Sequence, residues 1–127
     1  MNFISLEGIE RYIFSGQEFT LTSETAERIE KSFVFLKDFS ESTIIYGINT
    51  GFGPMAQYRI EPSDLQHLQY NLIRSHSSGV GKPLEADYAR CVVLARLYSL
   101  LQGNSRIIPD LIQKLIQFHN KGIVPEI

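Results

Sequence analysis

The feature that most constrains the fold is the segment EADYARCVVLARLYSLLQG, residues 85–103. It reads as one long helix that is apolar on more than half of its circumference. A helix of this kind is buried by neighbours on several sides, and Gly103 suits its C-terminal stop. The sequence therefore predicts a mainly helical protein packed around this helix. The other predicted helices offer it few partners, which suggests that the chain is part of something larger.

Four further helices are predicted from capping residues and from glycine and proline punctuation. The first runs from about Leu6 to Phe14, with Ser5 as cap and Gly16 as stop, and the second follows Thr22 or Ser23. The third is opened by the capping box Ser63–Gln66 and ends in SHSSGVGKP. The last runs from Pro109 to about Asn120. Between the second and third, the β-branched run TIIYGI predicts a short extended segment before a glycine loop.

Composition excludes several classes of protein. The 127 residues carry a formal charge of -2, from 12 basic and 14 acidic side chains, so there is no sign of a nucleic-acid binder. No stretch approaches the roughly 20 apolar residues of a membrane span, and the N-terminus lacks the pattern of a signal peptide. The single cysteine, Cys91, forms no internal disulfide, which fits a reducing compartment and a cytoplasmic location. The histidine and cysteine spacings predict no metal site.

The glycine loop lies in IIYGINTGFGP, where Gly47, Gly51 and Gly53 have the spacing G-x-x-x-G-x-G. This spacing matches neither a phosphate-binding P-loop nor a dinucleotide fingerprint, so a nucleotide site is disfavoured. Two interpretations remain. The segment is an ordinary loop, or its glycines let the backbone pass close to a ligand that faces Tyr46 or Phe52.

A second candidate functional segment is RSHSSGVG, in which His76 lies at the predicted end of a helix beside Ser75. A histidine there can be only a favourable partner of the helix dipole. The Ser-His pair does not indicate a hydrolase, because G-x-S-x-G and an obvious acid partner are missing.

Taken together, YGINTGFG, LQYNLIRSHSSGVG and LARLYSLLQGNS resemble the histidine and aromatic amino acid ammonia-lyase family along essentially the whole chain. GPMAQYRI and RSHSSG look most like bacterial tyrosine ammonia-lyases. The resemblance implies the mainly α, fumarase/aspartase-like fold, here its N-terminal helical region over residues 1–127. It also implies a homotetramer that acts on a small aromatic amino acid.

The resemblance assigns roles to four residues. Tyr46 matches the tyrosine that removes the β-proton of the substrate, and Gly53 matches a glycine whose backbone lies near the substrate. His76 matches the ring-selectivity position, with Ser75 as its neighbour. The implied reaction converts tyrosine to coumarate, or histidine to urocanate, and the residues do not choose firmly between these substrates, although the motifs favour tyrosine.

Two departures from the family pattern stand out. The family electrophile, methylidene-imidazolone, forms from an internal Ala-Ser-Gly, which does not occur in these 127 residues. In the run Ser105-Arg106-Ile107-Ile108, Arg106 takes the place of a usual glycine. If that glycine needs a positive φ, an arginine there is strained.

Energetics limit what the chain can do alone. A free tyrosine phenol has a pKa of about 10, so a tyrosine base near neutral pH needs about 3 to 4 kcal/mol in favour of its phenolate. One exposed helix N-terminus supplies about 0.3 to 1 kcal/mol. We therefore expect the chain to carry the base and the ring-recognition loop and to be inactive alone. The alternative is a non-catalytic helical assembly or binding module, or a gene remnant.

Overall fold

The computed structural model describes residues 5–127, in which the regular structure is almost entirely helical. The helices are α1 (Leu6–Phe14), α2 (Ser23–Ser42), α3 (Leu65–His76), α4 (Ala86–Leu101) and α5 (Pro109–Asn120), with a short 3-10 turn at Gly53–Met55. Within the described residues, β pairing is limited to an isolated bridge between Thr50 and Arg59. The predicted mainly α fold is confirmed.

Local capping explains where the first two helices begin. The Ser5 hydroxyl accepts the backbone N–H of Gly8 at 3.1 Å, which caps α1 as predicted. Thr22 does the same for α2, since its hydroxyl accepts the N–H of Thr25 at 3.3 Å. These side chains satisfy backbone donors that have no partner inside the helix.

The predicted capping box Ser63–Gln66 is wrong. Helix α3 begins only at Leu65, and the Asp64 side chain at its N-cap makes no capping hydrogen bond. The chain instead enters α3 through a turn in which the N–H of Asp64 donates to the Glu61 carbonyl at 2.9 Å. This backbone turn displaces Ser63 from the capping position.

The extended segment predicted for TIIYGI forms no strand, and its second half is a turn. Residues 46–49 form a hydrogen-bonded turn, in which the N–H groups of Ile48 and Asn49 both donate to the Ile45 carbonyl, at 3.1 and 3.3 Å. Ile44 is exposed. Hydrogen bonds from Asn49, described below, override the β propensity of the run.

The chain divides into two compact units, residues 1–35 with 82–127 and residues 36–81. In the first unit, α4 packs against α5 and α1. Its core is an apolar cluster formed by Ile29, Leu97, Leu100, Leu101, Ile112 and Ile116. The apolar helix that dominated the sequence is thus the centre of this unit, although Tyr88 and Val92 on α4 remain exposed.

The second unit, residues 36–81, buries polar rather than apolar side chains. Asn49 and Thr50 are its buried residues apart from Gly51, and Thr50 is fully inaccessible. Helix α3 lies in this unit. Its leucines Leu65, Leu68 and Leu72 are half-buried, and its other residues are exposed. The glycine loop therefore sits where hydrogen bonds, not apolar packing, hold the chain.

Residues 5–127 contain neither a membrane-spanning helix nor a metal-binding cluster. None of the helices in this range combines the length and the hydropathy needed to cross a bilayer. No group of three or more histidine, cysteine, aspartate or glutamate side chains in the same range could hold a metal ion.

Candidate active-site loop

Asn49 ties the glycine loop to the end of α2. Its Nδ2 donates to the carbonyls of Ser40 and Thr43, at 2.9 and 2.8 Å, and its Oδ1 accepts the N–H of Ile45 at 2.7 Å. Since Asn49 is buried, each of these backbone groups depends on it for a partner. This one side chain therefore fixes the turn that carries Tyr46.

Thr50 closes the next turn of the loop. Its hydroxyl accepts the N–H of Gly47 at 3.1 Å and donates to the Gly51 carbonyl at 3.0 Å. The same stretch pairs with the returning chain, because Gly51 N–H donates to the Tyr58 carbonyl at 3.3 Å. The loop is thus stabilised by the buried Thr50 hydroxyl and by a backbone hydrogen bond to Tyr58.

Gly51 is required by close packing. A Cβ at this position would lie 2.6 Å from the Cβ of Met55 and 2.8 Å from its carbonyl oxygen. Gly47 has a φ of +73°, the left-handed region that favours glycine. Gly51 and Gly47 therefore serve the fold of the loop itself. The interpretation that the glycines let the backbone pass close to a ligand stays a prediction.

Tyr46 and Gly53 lie together. The Tyr46 phenol oxygen accepts the backbone N–H of Gly53 at 3.4 Å. The ring of Phe52 meets the Tyr46 ring edge-on, with centroids 6.0 Å apart and an interplanar angle of 85°. Tyr46 is 64% exposed, so its side chain is accessible, and the hydrogen bond from Gly53 orients its oxygen.

His76 and Ser75 form a second pair at the C-terminal end of α3. Nδ1 of His76 lies 2.9 Å from the Leu72 carbonyl oxygen and 3.0 Å from the Ser75 hydroxyl. The Ser75 hydroxyl itself donates to the Leu72 carbonyl at 2.9 Å. Both side chains are exposed, and they share one carbonyl as their anchor.

Sequence reasoning named Tyr46, Gly53, Ser75 and His76 as candidates but did not name the groups that they contact. The missed groups are the Asn49 and Thr50 side chains and the Leu72 carbonyl. Asparagine and threonine between loop glycines are a signal in retrospect, because short polar side chains often bond to nearby backbone. A backbone carbonyl four residues before a histidine leaves no such mark in the sequence.

A separate cavity of about 130 Å³ lies in the first unit, with Tyr12, Arg90 and His119 in its lining. Burial, and secondarily the nearby Arg90 charge, lowers the pKa of His119. The edge of the Tyr12 ring packs against the imidazole, with centroids 6.0 Å apart. The third histidine therefore belongs to the packing of this unit rather than to the loop.

A sequence model of the aromatic amino acid lyases matches residues 4–127. The chain belongs to this family. The predicted resemblance is thereby confirmed at the level of the family. Since the match runs through Tyr46, Gly53, Ser75 and His76, these residues lie within the family region.

Individual relatives agree with the family assignment. Histidine ammonia-lyase of Streptococcus sanguinis is 38% identical over 98% of this chain. Among solved structures, phenylalanine aminomutase of Pantoea agglomerans superposes with a TM-score of 0.89 at 38% identity over 98% of the chain. Tyrosine aminomutase of Streptomyces globisporus gives a TM-score of 0.87 at 35% identity over 95%. The chain spans 24%, 24% and 23% of these three proteins, respectively.

Proposed function

We propose that this chain is the N-terminal helical region of an aromatic amino acid ammonia-lyase, which eliminates ammonia from tyrosine or histidine to give coumarate or urocanate. The observation that carries the proposal is the Tyr46 hydroxyl, exposed yet held by the Gly53 N–H within a braced loop. A general base must be both oriented and reachable, and this phenol meets both conditions.

Tyr46 acts as the base at the β-carbon of the substrate. Its phenolate accepts the β-proton, the electron pair of that C–H bond forms the new double bond, and the amine departs with the electrons of the C–N bond. The Gly53 N–H points at the oxygen that carries the negative charge before the transfer. A backbone donor in this position stabilises the phenolate without any side-chain rearrangement.

His76 recognises the substrate ring, and Ser75 adjoins it. An imidazole nitrogen can accept a hydrogen bond from a phenol O–H or from an imidazole N–H. This chemistry accommodates both tyrosine and histidine. Tyrosine remains the favoured substrate because of the GPMAQYRI and RSHSSG motifs, while the curated relatives include histidine ammonia-lyases.

The electrophile does not come from these residues. The family cofactor, methylidene-imidazolone, is made from Ala-Ser-Gly, and the 127 residues contain no such tripeptide. The residues present therefore do not fit the formation of this group. We expect the chain by itself to show no turnover, and we propose that activity belongs to a homotetramer of the complete protein.

The experiment places this chain in the position of the matching quarter of Streptococcus sanguinis histidine ammonia-lyase. We expect the chimera to produce urocanate, measured by absorbance, whereas the isolated chain produces neither urocanate nor coumarate. Tyr46→Phe should lower kcat about 100- to 10,000-fold, the usual contribution of a general base. Tyr88→Phe is the matched control, because Tyr88 has the same 64% exposure and lies on α4.

Three outcomes would contradict the proposal. They are turnover by the isolated chain, a chimera that assembles like its parent but does not react, and a Tyr46→Phe chimera that is as active as the Tyr88→Phe control. Assembly is measured by light scattering, so that a folding failure is distinguished from a missing base.

A further inference from the structure

The contacts of His76 favour one position for its ring proton. Leu72 offers a carbonyl oxygen, which can only accept a hydrogen bond, at 2.9 Å from Nδ1. Nδ1 must therefore be the donor. A neutral imidazole has one donor nitrogen and one acceptor nitrogen, so Nε2 is left with its lone pair free.

Ser75 favours the same arrangement. Its hydroxyl hydrogen is directed to the Leu72 carbonyl, at 2.9 Å, which leaves the oxygen lone pairs available. Those lone pairs lie 3.0 Å from Nδ1 of His76 and can accept from the same N–H. The Nδ1 proton is thus shared between two acceptors, and the hydroxyl is itself fixed by the carbonyl.

We propose that Ser75 is a positioning residue, which together with the Leu72 carbonyl holds the His76 imidazole as its Nδ1–H tautomer and presents Nε2 as an acceptor to the substrate ring. This inference rests on the proposed function for its substrate, but not for its chemistry. A neutral imidazole in water normally carries its proton on Nε2, so the end of α3 reverses the ordinary preference. The ligand group selected is then a hydrogen-bond donor on the ring.

The neighbouring residues provide matched controls. Ser77 makes a hydrogen bond of the same kind, from its hydroxyl to the Ile73 carbonyl at 2.7 Å, and this hydroxyl is not hydrogen-bonded to the imidazole. His67 is an exposed histidine in the first turn of the same helix. Within residues 5–127, the structure gives the His67 ring no carbonyl contact comparable to that of His76.

The first test is long-range ¹H–¹⁵N NMR on the full 127-residue chain with labelled histidine, at a pH where the imidazoles are neutral. We expect His76 to show the Nδ1–H pattern and His67 the ordinary Nε2–H pattern. Ser75→Ala should lower the Nδ1–H to Nε2–H ratio of His76 about two- to tenfold, the effect of one lost hydrogen bond. Ser75→Thr, which keeps a hydroxyl, should restore the ratio, and Ser77→Ala should leave it unchanged.

The inference is overturned if His76 carries its proton on Nε2, or if Ser75→Ala and Ser77→Ala have the same effect. Neither result depends on catalysis, so failure here leaves the role of Tyr46 standing.

A second test uses the chimera. There, Ser75→Ala should raise KM for histidine about two- to tenfold with little change in kcat, and Ser75→Thr should reverse the rise. A fall in kcat at constant KM would contradict a positioning role in ring recognition.

Discussion

Different interactions stabilise each of the two units of this chain. All the buried hydrophobic side chains described belong to the first unit, from Ile13 to Ile116, whereas the second unit buries Asn49 and Thr50. Apolar packing is non-directional and is spread over many atoms. A loop held by a few hydrogen bonds has its geometry fixed by specific groups instead, so each polar side chain there matters individually. The residues proposed for chemistry lie in this second, polar unit.

The largest expected effect is on the core of the first unit. Leu97 is fully inaccessible and sits within the apolar cluster, so Leu97→Ala should lower the free energy of unfolding by about 2 to 5 kcal/mol. Urea unfolding followed by circular dichroism measures this. Val92→Ala on the exposed side of α4 is the control and should cost far less. Equal losses would show that α4 is not packed as described.

The corresponding change in the second unit is Asn49→Ala. It removes three hydrogen bonds and leaves the Ser40 and Thr43 carbonyls without their partner, which should destabilise the loop by about 1 to 3 kcal/mol. We expect faster amide hydrogen exchange at Ile45 and Gly47, with the core of the first unit unaffected. Asn71→Ala, on the exposed surface of α3, is the matched control. Loss of protection from amide exchange throughout both units would contradict the conclusion that each unit is stabilised by its own interactions.

The turn between α4 and α5 tests backbone strain inside the first unit. Arg106 has a φ of +49°, the one positive value among the non-glycine residues described, and its guanidinium lies 5.5 Å from the centre of the Phe35 ring. The condition named from the sequence, a positive φ at this position, is met, and the strain of an arginine there stays a prediction. Arg106→Gly and Arg106→Ala both lose the cation–π contact, but only glycine relieves the backbone. The glycine variant should therefore be more stable than the alanine variant by about 1 kcal/mol in urea unfolding. The opposite order would contradict the left-handed turn.

The smallest expected effect is the pH dependence contributed by His119. Burial lowers the pKa of His119 in the folded chain below its ordinary value of 6.5. Near this pH the folded state therefore binds fewer protons than the unfolded state. This contribution is complete above pH 6.5 or so and is lost as the pH falls through that value towards the lower folded pKa. Between about pH 7.5 and 5.5, the melting temperature of the native chain should fall more steeply than that of His119→Gln. Parallel curves would contradict a lowered pKa of the half-buried His119.

The sequence predictions hold where no other hydrogen bond competes with the local signal. The Ser5 cap, the Pro109 start and the ends of the helices rest on contacts within a few residues, and they are confirmed. No strand forms in TIIYGI because Asn49 reaches back to the Ser40 carbonyl, a specific side-chain hydrogen bond across nine positions that residue propensities do not record. The capping box failed because a backbone turn at Glu61 competed with it.

The sequence by itself determined the family, the helical class and the identity of the four candidate site residues, because these depend on motifs and on local hydrogen bonding. Only the tertiary structure decided what those residues do to one another. The Gly53 N–H reaches the Tyr46 oxygen, and Nδ1 of His76 lies 2.9 Å from the Leu72 carbonyl oxygen. The physical reason is that hydrogen bonds to the backbone depend on distance and direction. These are set by how the loop and the end of α3 fold, and the letters of the sequence do not record them.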